Sequence, residues 1–268
     1  MNKFGFIGCG NMGGALARAV AKRIDGEHLL FCDADLAKAQ GLAAEFGAAA
    51  TSDARVIAEQ CDYIFLGVKP QGFDALFVSI SEVLVARKTP FVLISMAAGV
   101  PIARVQSLAG VTCPIIRIMP NTPAAVGEGM ILYATNSEVT SDVVKTFCEA
   151  LSEAGVLDAI AEEKIDAASA LSGCGPAFVY LFAEALADGA VECGLPRDKA
   201  LLYAAQTLKG AAELMLCTGQ HPGQLKDAVC SPGGTTIAGV HALEDCGLRA
   251  AAMNAVVAAY ERTLELKK

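Results

Sequence analysis

The first half of the chain is built from short apolar runs separated by amphipathic stretches. Residues 4–8, 28–32, 63–68 and 91–95 are almost continuously apolar, and 115–119 and 130–133 follow. Unbroken apolarity over a strand's length predicts strands buried on both faces, as in a parallel sheet covered by helices. Helical periodicity fills 15–24 and 36–46 between the first runs. After about residue 162 the strand pattern stops. Stretches 178–193, 197–217 and 235 onward carry helical spacing, interrupted at Gly194-Leu195-Pro196 and His221-Pro222-Gly223. The pattern predicts an α/β chain: a doubly wound sheet over residues 1–161, then an all-helical domain over 162–268.

Composition changes that picture in one respect. Hydrophobic residues make up 54% of the chain and charged residues 19%. That is more apolar surface than a lone monomer of this length hides, and it predicts a buried helical subunit interface, with an Ala-rich core as the alternative source of part of it. Net charge is −8 with no basic run, which argues against nucleic acid as a partner. Ten cysteines lie scattered without a Cys-x-x-Cys pair beside only three histidines, so no metal site is expected, and the thiols read as small buried hydrophobes. Glycines interrupt the first ten residues, unlike a signal peptide, and the run 90–100 is too short to span a bilayer. A cytoplasmic protein without a membrane association is expected.

Candidate chemistry sits at both ends. Gly8-Cys9-Gly10-Asn11-Met12-Gly13 follows the first strand and opens the first helix. The first glycine permits the tight turn, the second lets backbone approach a pyrophosphate, and the third lets helix and strand pack closely. This is a Rossmann-like dinucleotide fingerprint. Asp33 ends the second strand, where an acidic residue bonds the ribose 2′-hydroxyl; alternatively Asp33 or Asp35 caps the next helix. The ribose reading favours NADH over NADPH. Val68-Lys69-Pro70 and Ala97-Ala98 end later strands and are expected to line the cofactor, although Lys69 also reads as an ordinary surface lysine. Asn121, in Arg117-Ile-Met-Pro-Asn-Thr-Pro123, is either a cofactor contact or part of a rigid turn.

Near the other end, Cys230-Ser231-Pro232-Gly233-Gly234 delivers the chain to Thr235 and Thr236 at a predicted helix start. Free N–H groups, the helix dipole and two hydroxyls converge there, as a small carboxylate requires. Residues 171–177 form a Gly-rich start to the long helix 178–193, and its first turns carry no lysine. Reducing a carbonyl needs a proton donor for the alkoxide; an imine that binds already protonated does not. The rivals to imine reduction are a 3-hydroxyacid dehydrogenase, disfavoured by the missing lysine, and a nucleotide sensor without turnover, disfavoured by the intact Thr235–Thr236 segment.

With the fingerprint, Val68-Lys-Pro-Gln71, Arg117 to Pro123, Ser172 to Pro176 and Ser231 to Gly239 in this order, the chain resembles the pyrroline-5-carboxylate reductase family over essentially its whole length. The resemblance implies reduction of 1-pyrroline-5-carboxylate to L-proline by NADPH or NADH, the last step of proline biosynthesis. It implies a homo-oligomer built from dimers whose C-terminal helices interlock, so that the helical domain is a dimerisation domain. It also implies that Ser231, Gly233, Gly234, Thr235 and Thr236 hold the cyclic imino acid, with Thr236 hydrogen-bonding the ring nitrogen. Two departures stand out: Gly219-Gln220 where some relatives have an acidic residue before His-Pro-Gly-Gln, and Ala228 where some have Asn. The family favours NADPH while Asp33 points to NADH, so use of both is expected.

Overall fold

The structure is a computed structural model that describes residues 2–265. Contacts divide it into two compact units. One ends at Cys174 and takes back the chain from Ala259; the other is Gly175–Ala258.

The first unit is a single eight-stranded sheet in the order β3-β2-β1-β4-β5-β6-β7-β8. The strands are β1 Phe4–Ile7, β2 Leu29–Cys32, β3 Ala49–Thr51, β4 Tyr63–Leu66, β5 Val92–Ser95, β6 Ile115–Met119, β7 Gly129–Thr135 and β8 Gly155–Ala159. Helices α1 Asn11–Val20, α2 Leu36–Phe46, α3 Ala54–Gln60, α4 Phe73–Ala86, α5 Ile102–Ala109, α6 Ser141–Leu151 and α7 Glu162–Ser172 cover both faces. Strand alternation sends Phe4 and Phe6 to one side, where they stack on Tyr63 at 4.9 Å and Phe65 at 4.4 Å. Leu16, Val20, Phe31 and Phe147 complete that core. Ile7, Ile64, Leu66, Phe73, Phe77 and Ile80 form the core on the opposite face. Burial from both sides favours apolar residues all along a strand, which is why these strands read as near-continuous runs; Ser95 and Arg117 are the buried polar exceptions.

Two expectations are corrected here. The sheet is not wholly parallel: β7 runs antiparallel to β6, and β8 is parallel to β7. Residues 120–128 are too few for a parallel crossover, so the chain turns back instead. The final helix is not continuous either. It divides into α11 Thr235–Asp245 and α12 Leu248–Glu265, with Gly247 between them at φ 73°.

The second unit consists of α8 Gly175–Glu192, α9 Arg197–Thr218, α10 Pro222–Ala228, α11 and the first part of α12. Its buried cluster is Ala187, Ala200 and Ala204. Large apolar side chains stand in solvent instead: Leu181 is 69% exposed, Leu216 77% and Met253 68%. An apolar hollow of about 490 Å³ is lined by Phe178, Leu181, Phe182, Leu248 and Ala252 among others. The stretch Glu162–Glu192 is also long and apolar enough, by length and composition, to cross a bilayer.

Candidate active site

The parallel strands β1 to β4 end together. Ile7 pairs with Cys32 and with Leu66, and Cys32 pairs with Thr51. The ladder runs one residue further through Gly8 N–H to Cys32 O and Gly67 N–H to Ile7 O, both 2.7 Å. Chain order reverses between β1 and β4, and the crevice at the carboxyl ends of such a switch point is where doubly wound sheets bind ligands. A cleft of about 380 Å³ lies there, lined by Gly8, Gly10, Asp33, Ala34, Val68 and Lys69 among others.

Each fingerprint glycine has its own reason. Gly8 has φ 102°, and a Cβ there would lie 2.7 Å from the Gly67 carbonyl. A Cβ on Gly13 would lie 2.1 Å from Gly8 O, so this glycine lets α1 sit against the loop. Gly10 differs: its φ is −70°, and a Cβ there would meet nothing within 4 Å. No contact among the described residues demands a glycine at that place, and the room it leaves opens onto the uncapped start of α1. The cradle therefore fits a pyrophosphate at a helix N-terminus. Asn11 and Met12 begin α1 beside it.

Asp33 directly follows β2. Its Oδ2 accepts the Cys9 N–H at 2.7 Å and its Oδ1 the Asp35 N–H at 3.0 Å, so the carboxylate is tied to the glycine loop. Capping of α2 falls to Asp35, which accepts from Ala37 N–H. Burial and the Asp33 charge push the Cys9 thiol up to about 12; burial, Asp33 and Asp53 push Cys32 up to about 11. Both thiols stay protonated at neutral pH and are no nucleophiles.

Among the other expected cofactor residues, Pro70 opens a 3₁₀ turn after Lys69, and Ala97 (buried) and Ala98 (exposed) follow β5. None of these three, nor Asn121, lines the cleft. Asn121 serves the rigid turn: its Oδ1 accepts Met130 N–H and its Nδ2 donates to Ser172 O, each at 2.9 Å, while it sits 9% exposed. Ala34, Ser52 and Gly67 line the cleft without having been singled out in the sequence. Gly67 left a trace, as a glycine near the end of the apolar run 63–68. Ser52 left none, because β3 has only three residues.

In the helical unit, α11 begins at Thr235, with Gly234 at its N-cap and no side chain capping it. Gly233 has φ 67°, and Gly234 N–H closes the turn onto Ser231 O at 3.0 Å. A Cβ on Gly234 would stand 2.4 Å from Ser231 Oγ. Ser231, Thr235 and Thr236 are exposed. Ser172 and Gly175 bound a two-residue break between α7 and α8, where the sequence predicted only the start of one helix. Among the described residues, no group of three His, Cys, Asp or Glu side chains is placed to hold a metal ion.

The model for "Pyrroline-5-carboxylate reductase dimerisation" matches residues 162–266, and that for "NADP oxidoreductase coenzyme F420-dependent" matches residues 3–99. A pyrroline-5-carboxylate reductase of Methanosarcina acetivorans is 40% identical over 99% of this chain and 98% of its own. The Escherichia coli enzyme is 39% identical over 99% and 98%. The crystal structure of a Plasmodium falciparum pyrroline carboxylate reductase with NADP bound superimposes with a TM-score of 0.88 at 34% identity, covering 100% of this chain and 98% of that one. One from Coxiella burnetii gives 0.91 at 32% identity over 100% and 99%. Identity at this level over the full length of both chains places the protein in the pyrroline-5-carboxylate reductase family.

Proposed function

We propose that this chain reduces 1-pyrroline-5-carboxylate to L-proline with NADPH or NADH, the last step of proline biosynthesis. The observation that carries this reading is full-length kinship with reductases of that name, across both the nucleotide-binding half and the helical half.

The nicotinamide nucleotide, when bound, supplies the hydride. Everything else falls to the chain. Gly8, Gly10, Asn11, Met12 and Gly13 seat the pyrophosphate on the start of α1, Asp33 takes the ribose, and Val68, Lys69, Pro70, Ala97 and Ala98 line the way to the nicotinamide. Asn121 acts at one remove, fixing the turn after β6 to the end of α7. Ser231, Gly233, Gly234, Thr235 and Thr236 hold the substrate: the free N–H groups of α11 and the Thr235 hydroxyl take the carboxylate, and Thr236 hydrogen-bonds the ring nitrogen. The imine arrives protonated, which agrees with a first turn of α8 that lacks any lysine. Acceleration then comes from positioning and exclusion of water rather than from a proton donor.

The second unit supports a homo-oligomer of interlocked dimers. Helices that bury three alanines between them lack a core of their own, and a second copy of the same apolar faces supplies one. The same argument accounts for the apolar stretch Glu162–Glu192 without a bilayer. Its first half is tied to the sheet through Arg117, whose guanidinium pairs with Asp166 at 2.7 Å and Glu162 at 3.3 Å. Residues 1–161 would then carry the cofactor, and 162–268 dimerisation and the substrate. A cytoplasmic protein that binds neither membrane nor nucleic acid completes the reading. Chromatography after mixing protein, imine and reduced cofactor tests it: L-proline should accumulate in step with cofactor oxidation, and no proline with either cofactor would overturn it.

A further inference from the structure

We propose that Asp33 makes this cofactor site selective for NADH over NADPH. The inference rests on the reading of the β1–β4 cleft as the dinucleotide site and refines it. Three observations carry it. The carboxylate is fixed rather than free, because backbone N–H groups of Cys9 and Asp35 hold one oxygen each. It lines the cleft beside Gly8 and Gly10, at the end of β2 where the adenosine ribose of a doubly wound fold lies. An ionised carboxylate offers about four lone-pair sites, so each oxygen retains one for a donor. The 2′-hydroxyl of NADH is such a donor. A 2′-phosphate has only acceptors and brings about two negative charges against a group that is itself an acceptor and negative.

Among the described residues, the charge beside Asp33 is mostly negative. Asp53, at the start of α3, adds a second negative charge on this side, near enough that with Asp33 it raises the Cys32 thiol. Lys38 stands 3.7 Å from Asp35. Lys69 lines the cleft but follows β4, two strands away from β2, or about 10 Å at ordinary strand spacing. Arg55 lines a separate groove with Glu59 and Glu82 and is not among the residues lining this cleft.

The test is direct binding, without imine, read by the fluorescence of the reduced nicotinamide. The dissociation constant for NADH should be at least ~10-fold below that for NADPH, and Asp33→Ser should shrink the ratio by ~10-fold or more. Equal constants in the unaltered protein, or an unchanged ratio in Asp33→Ser, would overturn the proposal. Losing the acceptor for Cys9 N–H could loosen the loop, so a gain is measured too: Asp33→Ser with Ala34→Arg should bind NADPH more tightly than the parent does. Failure of that gain in a variant with parental circular dichroism and melting would count against the proposal. Selective NADH binding without imine reduction would contradict the functional reading alone. Imine reduction with equal affinity for the two nucleotides would contradict this inference alone.

Discussion

Gly10→Ala separates a glycine kept for a ligand from one kept for the fold. At φ −70° and ψ −170° an alanine adopts the same backbone without strain, and its methyl group meets no protein atom within 4 Å. The change from glycine to alanine at an N-cap costs about 0.5–1 kcal/mol, and the stiffer unfolded chain returns about as much. Stability should therefore stay within ~0.5 kcal/mol of the parent. Binding should not. The methyl occupies the approach to the free N–H groups of α1, and displacing a phosphate from one or two charge-assisted hydrogen bonds, at about 1.5–3 kcal/mol each, weakens cofactor binding roughly 10- to 100-fold or more. Gly13→Ala is the contrast. Its methyl would sit 2.1 Å from Gly8 O, with backbone on both sides and nothing flexible to yield. Helix and loop must part, which costs ~1–3 kcal/mol or more in stability as well as binding. The chain has no tryptophan, so urea unfolding is followed by circular dichroism and binding by nicotinamide fluorescence. A folded Gly10→Ala protein with parental cofactor affinity would refute the reasoning, as would equal destabilisation by the two substitutions.

Three further outcomes are expected. Thr236→Ala should lower kcat/KM for the imine by ~10- to 100-fold with cofactor affinity unchanged, and parental kinetics would remove Thr236 from the site. Asp166→Ala strands a buried guanidinium, since Arg117 and Asp166 are 1% and 3% exposed; it should cost about 3 kcal/mol in urea unfolding, the low end for a broken buried pair because Glu162 remains, while Arg117→Met with Asp166→Leu should cost much less. Burial pushes the thiols of Cys32, Cys61 and Cys113 up to about 11, 12 and 11. The folded state thus keeps protons that the unfolded chain releases above about pH 9, so their contribution is complete below that pH and fades as pH rises towards 11; a urea midpoint that does not fall between pH 8 and 10.5 would contradict this.

What the sequence revealed depended on how local the physics was. β1, β2, β4, β5 and β6 were legible because double-sided burial leaves few polar positions in a strand, Ser95 and Arg117 being the exceptions. Strand direction was not, since apolarity is the same either way; the reversal at β7 comes from the short link over 120–128. β3 has three residues and β8 lies at the sheet edge with Val156 62% exposed, so neither carries the buried pattern. The break at Gly247 hid inside periodicity that continues on both sides. At the cofactor end, Gly8, Gly10 and Gly13 were readable because their roles are backbone geometry within one turn. Ala34, Ser52 and Gly67 reach the same cleft only through the order β3-β2-β1-β4, which no single stretch encodes. Asn121 was read as either a cofactor contact or part of a rigid turn, and its two hydrogen bonds are those of the turn.

The central claim is imine reduction, and steady-state cofactor oxidation tests it most directly. Purified protein is given NADH or NADPH with 1-pyrroline-5-carboxylate in one series, and the oxidised cofactors with 3-hydroxyacids in another, following absorbance of the reduced nicotinamide. The account predicts saturable loss of absorbance with the cyclic imine and no change with the hydroxyacids. Turnover of hydroxyacids without turnover of the imine would contradict it.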